Sequence, residues 1–402
     1  MIKSFFQHRE KLNIDNIKFV SFISFLMGFS SALLAYVLSF YFKEAAGTEN
    51  IGIFFMSSYL IVLIIFLNLH KLVRKLGKSL IFYITFFLRI ITVAMLFFLP
   101  PSILGIIFLI IYIIGEALGW VCLDIILESF STDGMSGRIR GAYLTIGNVG
   151  FLLAPFFSSK VLYIFGFKGI FFASFVIQFL IFSISLMAFR GLNHKFNRKE
   201  TIVQLLKKVF KRKDVIRIYY VSFILEFFYA LMIIYTPLYL LKLGFSWPQI
   251  GVIFSIMLIP FVLLQYPIGI LADKKTGEKE FLIFSIVVMG ISTSIFYFFD
   301  FKSVFAWALI LFITRIGASM IEILRDSYFY KKIDGYDVDI INFFRTSRPV
   351  AYIIAAVLSS IFLLFFGIKL IFLLIAIVSL SGLYPAFKLV DNKSEDDKII
   401  NL

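Results

Sequence analysis

The chain has 402 residues, of which 61% are hydrophobic and 16% charged, with a formal charge of +15. A soluble domain carries roughly 45–50% apolar and about 25% charged residues, which excludes an ordinary water-soluble core. One cysteine, Cys122, rules out an intrachain disulfide, and His8, His70 and His194 lack metal-ligand spacing.

Apolar runs long enough to cross a hydrocarbon core of about 30 Å follow one another along the chain. They fall at about 17–42, 51–70, 80–99, 103–130, 141–165, 169–189, 218–241, 249–271, 280–299, 303–330, 340–366 and 368–388. Lipid leaves strand edges unsatisfied, so these runs predict helices. The fold class is therefore an all-α polytopic membrane protein of about 12 transmembrane helices. The first run is too long for a signal-peptide core and is read as a span.

Lysines and arginines concentrate in alternate loops. One side holds Lys71, Arg74, Lys75, Lys78, Arg138 and Arg140, ten cations from Arg190 to Arg217, then Lys274, Lys275, Lys279, Lys331 and Lys332. The other side holds Lys43, Lys168, Lys242, Lys302 and Lys369. The rich side is expected to be cytoplasmic, which places both termini inside a multi-pass protein of the cell membrane. Between Arg190 and Arg217, Ile202, Leu205, Leu206 and Val209 recur at helical spacing opposite a lysine-rich face, and Thr201 with Gln204 has capping-box spacing. This predicts an amphipathic helix on anionic lipid at the cytoplasmic face. The same stretch divides the chain into a six-helix bundle over 1–189, a basic linker over 190–217, and a second six-helix bundle with a short tail over 218–402.

The halves repeat. Gly166-Phe167-Lys168-Gly169-Ile170-Phe171 returns as Gly367-Ile368-Lys369-Leu370-Ile371-Phe372, Ile51-Gly52 returns as Ile250-Gly251, and Gly77 as Gly277. A duplicated set of six spans is a transporter architecture with its site between the halves. Gly269-Ile270-Leu271-Ala272-Asp273-Lys274-Lys275-Thr276-Gly277-Glu278-Lys279 resembles the loop signature of the major facilitator superfamily. In the first half Arg74 stands where that family has its aspartate. Gly141, Gly150, Ala154, Pro155 and Ser158 resemble the family's antiporter signature, with alanine and serine at two of its glycine positions. The residues are equally those of a tight helix contact. The resemblance implies two pseudo-symmetric bundles, alternating access, and a cavity lined by spans one, four, seven and ten.

Ionisable groups inside the hydrocarbon are site candidates. Span four carries Glu116, Asp124 and Glu128, and span ten carries Arg315, Glu322 and Asp326. Glu226 sits in span seven, Arg89 in span three, and Arg345 and Arg348 near the start of span eleven. Glu116 and Arg315 are expected to face one another at mid-membrane as the coupling pair, with Asp124, Glu226 and Glu322 around them. Arg345 and Arg348 lie within about two turns of the cytoplasmic end, where snorkelling is cheap, and are expected to pair with acids on other helices, such as Asp124 or Glu128. At the inner gate Asp273 is expected beside Arg138 and Arg140, and Arg74 or Lys75 beside Asp337 or Asp339. No nucleotide loop, catalytic cluster or cofactor motif stands out. The reading is a secondary transporter of a small molecule, proton-coupled or an antiporter, acting as a monomer, with no cofactor and no nucleic-acid partner. The alternatives are an intramembrane lipid-modifying enzyme and a transporter-like sensor or assembly partner.

Overall fold

A computed structural model describes residues 14–128, 136–189, 209–272, 278–332 and 338–390. Among them there are only helices, turns and short connections. The first half holds α1 (Ile14–Ala46), α2 (Gly52–Leu76), α3 (Lys78–Phe98), α4 (Ile103–Glu128) and α5 (Ser136–Ala188). The second holds α6 (Lys213–Lys242), α7 (Trp247–Leu263), α8 (Gln265–Leu271), α9 (Lys279–Phe298), α10 (Val304–Lys331), α11 (Val338–Arg345), α12 (Ser347–Phe365), α13 (Ile371–Ser381) and α14 (Leu383–Phe387).

Eleven of the described helical stretches are long and apolar enough to cross a membrane. α5 accounts for the twelfth pass. Its 53 residues would extend roughly 80 Å at 1.5 Å per residue, more than two bilayer cores. It bends back at Gly166, whose φ of 63° and ψ of −159° break the helical path. That φ favours glycine over any residue with a Cβ. Spans five and six, expected as separate helices with a loop, are thus joined by a one-residue bend.

Three other spans are broken along their length, the twelfth at Gly382 between α13 and α14. The eighth divides at Leu264 between α7 and α8, and the eleventh at Thr346 between α11 and α12. Pro260 lies in the last turn of α7 and Pro349 in the first turn of α12. Proline at Pro260 removes a backbone donor and clashes with the preceding turn, whereas Pro349 sits where its missing donor is harmless. Residues 213–217, grouped with the linker in the sequence reading, form the first turns of α6. Of the expected amphipathic helix, residues 201–208 lie outside the described residues, while 209–211 are helical and Val209 is buried.

The two halves meet along α5 with α7, α2 with α12, and α1 with α6. The duplication is visible as geometry at these seams. A Cβ on Gly52 would sit 2.5 Å from Ser360 Oγ and 2.8 Å from the Ala356 carbonyl oxygen of α12. On Gly251 it would sit 2.6 Å from Ser159 Cβ and 2.8 Å from the Pro155 carbonyl oxygen of α5. At the end away from the cation-rich loops, called the outer end as a label only, the Tyr41 hydroxyl donates to the Pro100 carbonyl at 3.1 Å, and the Tyr239 hydroxyl donates to Asp300 at 3.1 Å. Each half therefore ties the outer end of its first helix to its own third interhelical connection.

Candidate functional site

The outer ends of the seams are shut by aromatic rings and glycine contacts. Tyr36 packs on Phe254 with ring centroids 4.4 Å apart, Phe40 on Trp247 at 5.2 Å, and Tyr59 on Tyr352 at 4.1 Å. Asn50 donates across the seam to the Ser360 carbonyl at 3.3 Å. All of these join one half to the other. Tyr36, Tyr59, Tyr352 and Phe254 are buried.

Inward of this closure the helices carry charge. Arg348 of α12 keeps 46% of its side-chain surface accessible although residues of four helices surround it. Tyr59 of α2, Tyr352 one turn further along α12, Glu226 of α6 and Glu116 of α4 all lie within electrostatic range of its guanidinium. Its guanidinium carbon lies 5.6 Å from the Tyr352 ring centre, and its Nε lies 3.9 Å from Glu226. A side chain both internal and accessible lines a cavity. Arg348 is thus beside an acid of another helix, as expected, but that acid is Glu226 of α6 rather than Asp124 or Glu128.

Glu226 is shared. Arg325 of α10 donates to it at 3.0 Å and also to the Ser222 hydroxyl at 2.8 Å. Arg325 further lies 3.5 Å from Asp326. A buried arginine needs both a counter-charge and acceptors for its remaining N–H groups, and α6 supplies both.

Arg315 does not pair with Glu116. It is 2% exposed, and its guanidinium lies 4.8 Å from the ring centre of Phe228 and 6.0 Å from that of Tyr229, both on α6. Tyr36 of α1 lies beside it. Among the described residues no ion pair joins Arg315 to an acid, and its Nη1 has no hydrogen-bond partner. Aromatic faces stabilise the cation, so the rotation of α10 is not obliged to bring it to a carboxylate. Glu116 instead lies within electrostatic range of Tyr59, Tyr112, Tyr352 and Arg348.

A second polar chain crosses the interface nearer the inner side. Asn148 of α5 donates to Gln265 of α8 at 3.0 Å, Gln265 donates to Glu322 of α10 at 3.0 Å, and the Tyr229 hydroxyl donates to Glu322 at 3.3 Å. Both groups that donate to Glu322 are neutral. Further in, Arg345 of α11 lies 3.6 Å from Asp124 of α4, and the Tyr143 hydroxyl donates to Asp124 at 3.1 Å. Asp124, Glu322 and Arg345 retain partial accessibility, in contrast to the outer tyrosines. The partly accessible charged side chains between the halves therefore lie toward the cation-rich ends of the helices, while the opposite ends are packed with rings.

The glycine-rich stripe of α5 is a packing surface. A Cβ on Gly150 would lie 2.8 Å from the Phe29 backbone nitrogen of α1. Ala154 packs with Ala32 and Leu33 of α1, and Pro155 meets Gly251 of α7. Ser158 is buried, its hydroxyl bonded to the Pro155 carbonyl at 3.3 Å. The side chains of Glu128, Arg138, Arg140, Arg74 and Asp339 lie outside the description, as do Asp273 and Asp337 and the surroundings of Gly141. The proposed gate falls there. Sequence reasoning missed Asn148 and Gln265. Two amides inside otherwise apolar spans were a usable signal, since each needs partners in lipid.

Arg89 of α3 is fully buried in the first half. It donates to the Tyr112 hydroxyl at 3.0 Å and lies over the rings of Phe86 and Tyr112.

The comparisons with known proteins follow this geometry. No curated protein matches the chain significantly. Among solved structures, the nucleoside transporter NupG, in a mutant form, superposes with a TM-score of 0.74 at 15% identity, covering 94% of this chain and 100% of that one. At that identity the likeness concerns the fold. The family model described as Major Facilitator Superfamily matches residues 20–334 and 242–400, which together take in nearly the whole chain. Twelve passes, repeated seams and a charged cavity between the halves agree with that match, and the chain belongs to the major facilitator superfamily of secondary transporters.

Proposed function

We propose that this transporter moves a small molecule bearing an anionic group, held by Arg348, and that Glu322 couples the movement to protons. The observation that carries the reading is the accessible Arg348 guanidinium among Tyr59, Tyr352, Glu116 and Glu226. A guanidinium offers a fork of donors to a carboxylate or phosphate, and flanking tyrosines add neutral donors. A cation already balanced by one distant carboxylate at 3.9 Å has donors to spare. Glu116, opposite, suits a positively charged or hydroxyl-bearing part of the same substrate.

Glu322 supports proton coupling because it sits within the hydrocarbon with two neutral donors and, among the described residues, no ion-pair partner. An ionised carboxylate there is costly and protonation relieves the cost. Its link through Gln265 to Asn148 ties that event to the contact between the halves. In this reading residues 1–189 and 218–402 rock as two bundles about the cavity. The cation-rich side is cytoplasmic, the cell membrane is the location, and one chain suffices.

The test is uptake by purified protein in liposomes. A metabolite panel under an imposed pH gradient identifies the substrate, and Arg348→Gln and Glu322→Gln are then compared. Arg348→Gln is expected to weaken binding about tenfold or more, the loss of one charge-assisted bond of roughly 1.5–3 kcal/mol. Arg348→Lys should recover part of it. Glu322→Gln should exchange substrate but no longer accumulate it under the gradient. Normal binding in Arg348→Gln would remove this arginine from the site.

A further inference from the structure

On the cation-rich side, away from the central cavity, a groove of about 630 Å³ opens between the first turns of α6 and the end of α13 and α14. Lys213, Arg217, Tyr220, Ser381, Tyr384 and Lys388 line it. Its floor is fixed where the Tyr220 hydroxyl and the Ser381 hydroxyl share a hydrogen bond of 2.8 Å. Arg217 is held by Asp214 at 2.8 Å, and Asp214 also lies 3.7 Å from Lys332. No described acid lies within ion-pair range of Lys213 or Lys388, so the groove keeps a net positive charge. Lys388 donates to the Tyr384 hydroxyl, which leaves two of its ammonium donors free.

The surroundings of the groove are apolar. Tyr384 and Phe387 of α14 and Val390 just beyond it are exposed, as is Phe210 just before α6. They lie where α6 enters and α14 leaves the hydrocarbon, the level of an aromatic belt. Three cations with two hydroxyls at this depth match a phosphate headgroup, and the exposed apolar flank matches the acyl chains beneath it.

We propose that this groove is a binding site for an anionic phospholipid of the cation-rich leaflet, its phosphate held by Lys213, Arg217 and Lys388. The lipid would bridge the first and last helices of the second bundle. The site is independent of what the central cavity carries. Free phosphate shares the headgroup chemistry but gains nothing from the exposed apolar flank.

The experiment titrates purified full-length protein in detergent with phosphatidylglycerol, phosphatidylcholine or inorganic phosphate. Native mass spectrometry counts bound lipid and thermal unfolding reports the shift. Phosphatidylglycerol is expected to bind about tenfold or more tighter than phosphatidylcholine, and millimolar inorganic phosphate should not displace it. Changing Lys213, Arg217 and Lys388 together to Gln should erase the preference, since each cation near a headgroup is worth a factor of about five. A charge-matched variant, Lys18, Lys71 and Lys75 together to Gln, should keep the preference within about twofold. If the triple groove variant cannot be purified, Lys388→Gln alone, on a terminal turn, should lower the preference about fivefold. Equal loss in the charge-matched variant, equal binding of the two lipids, or displacement by inorganic phosphate would each overturn the proposal.

Discussion

Replacing Gly251 by alanine should open the outer face of the protein at a seam the substitution does not touch. The new methyl group would lie 2.6 Å from Ser159 Cβ and 2.8 Å from the Pro155 carbonyl oxygen. The hydroxyl of Ser159 can rotate away, but its Cβ and the backbone carbonyl cannot. α5 and α7 must therefore separate by several tenths of an ångström. Overpacking of this kind costs about 1–3 kcal/mol, and the cost applies only while the outer side is closed. An equilibrium between closed and open outer faces should shift toward the open form by roughly 5- to 150-fold. If the halves rock as rigid bodies, the α2–α12 seam must part as well. Spin labels at Thr48→Cys and Phe365→Cys, in a Cys122→Ser background, report on that second seam. The distance distribution should gain a longer component in Gly251→Ala protein, and Gly52→Ala should reproduce it. An unchanged distribution, with an unchanged melting temperature, would refute the closed-seam reasoning. A change confined to the α5–α7 seam would refute rigid rocking.

Two further outcomes follow from ion pairs. Asp124→Asn should destabilise the described form by about 1–3 kcal/mol by leaving Arg345 without its partner. The exchanged pair, Asp124→Arg with Arg345→Asp, should recover much of the melting temperature. On the outer side, the Lys369 ammonium beside Asp300 holds its carboxyl below the usual carboxylate range, and the Tyr239 hydroxyl assists. A lowered value means the contribution is present above the ordinary carboxylate pKa and lost as pH falls through the lowered one. Asp300→Asn should therefore melt slightly lower than the parent protein near pH 7, and the difference should vanish in acid.

The sequence made the passes, the duplication and the superfamily legible, because lipid and chain duplication both leave marks in one dimension. Gly52 and Gly251 were visible as a repeat, and the structure explains them as equivalent close approaches to Ser360 and Ser159. The pairing of Arg345 with Asp124 was also within reach, since both fall near the inner ends of helices that share the interface. The partner of Arg315 was not. Its depth in α10 follows from counting residues, but its direction depends on the rotation of α10 against α6, which no periodicity fixes when most faces are apolar. Once Phe228 and Tyr229 are neighbours, their rings take the cation that Glu116 was expected to hold. For Arg348 an acid on another helix was expected, but not which one: the packing of α12 against α6 brings Glu226 to it rather than Asp124 or Glu128.

The bend at Gly166 has a mechanical consequence. In the second half, Phe366 to Leu370 separate α12 from α13 with an extended residue and a single 3-10 turn. In the first half the equivalent corner is one non-helical glycine between two helical arms. Any tilt of the α5 arm that seals against α7 is delivered at once to the arm beyond Gly166, because there is no slack to take it up. The first bundle then behaves as the stiff lever of the pair and the second as the compliant one. Lengthening the first corner by a few flexible residues would uncouple the arms, and lengthening the second would be absorbed.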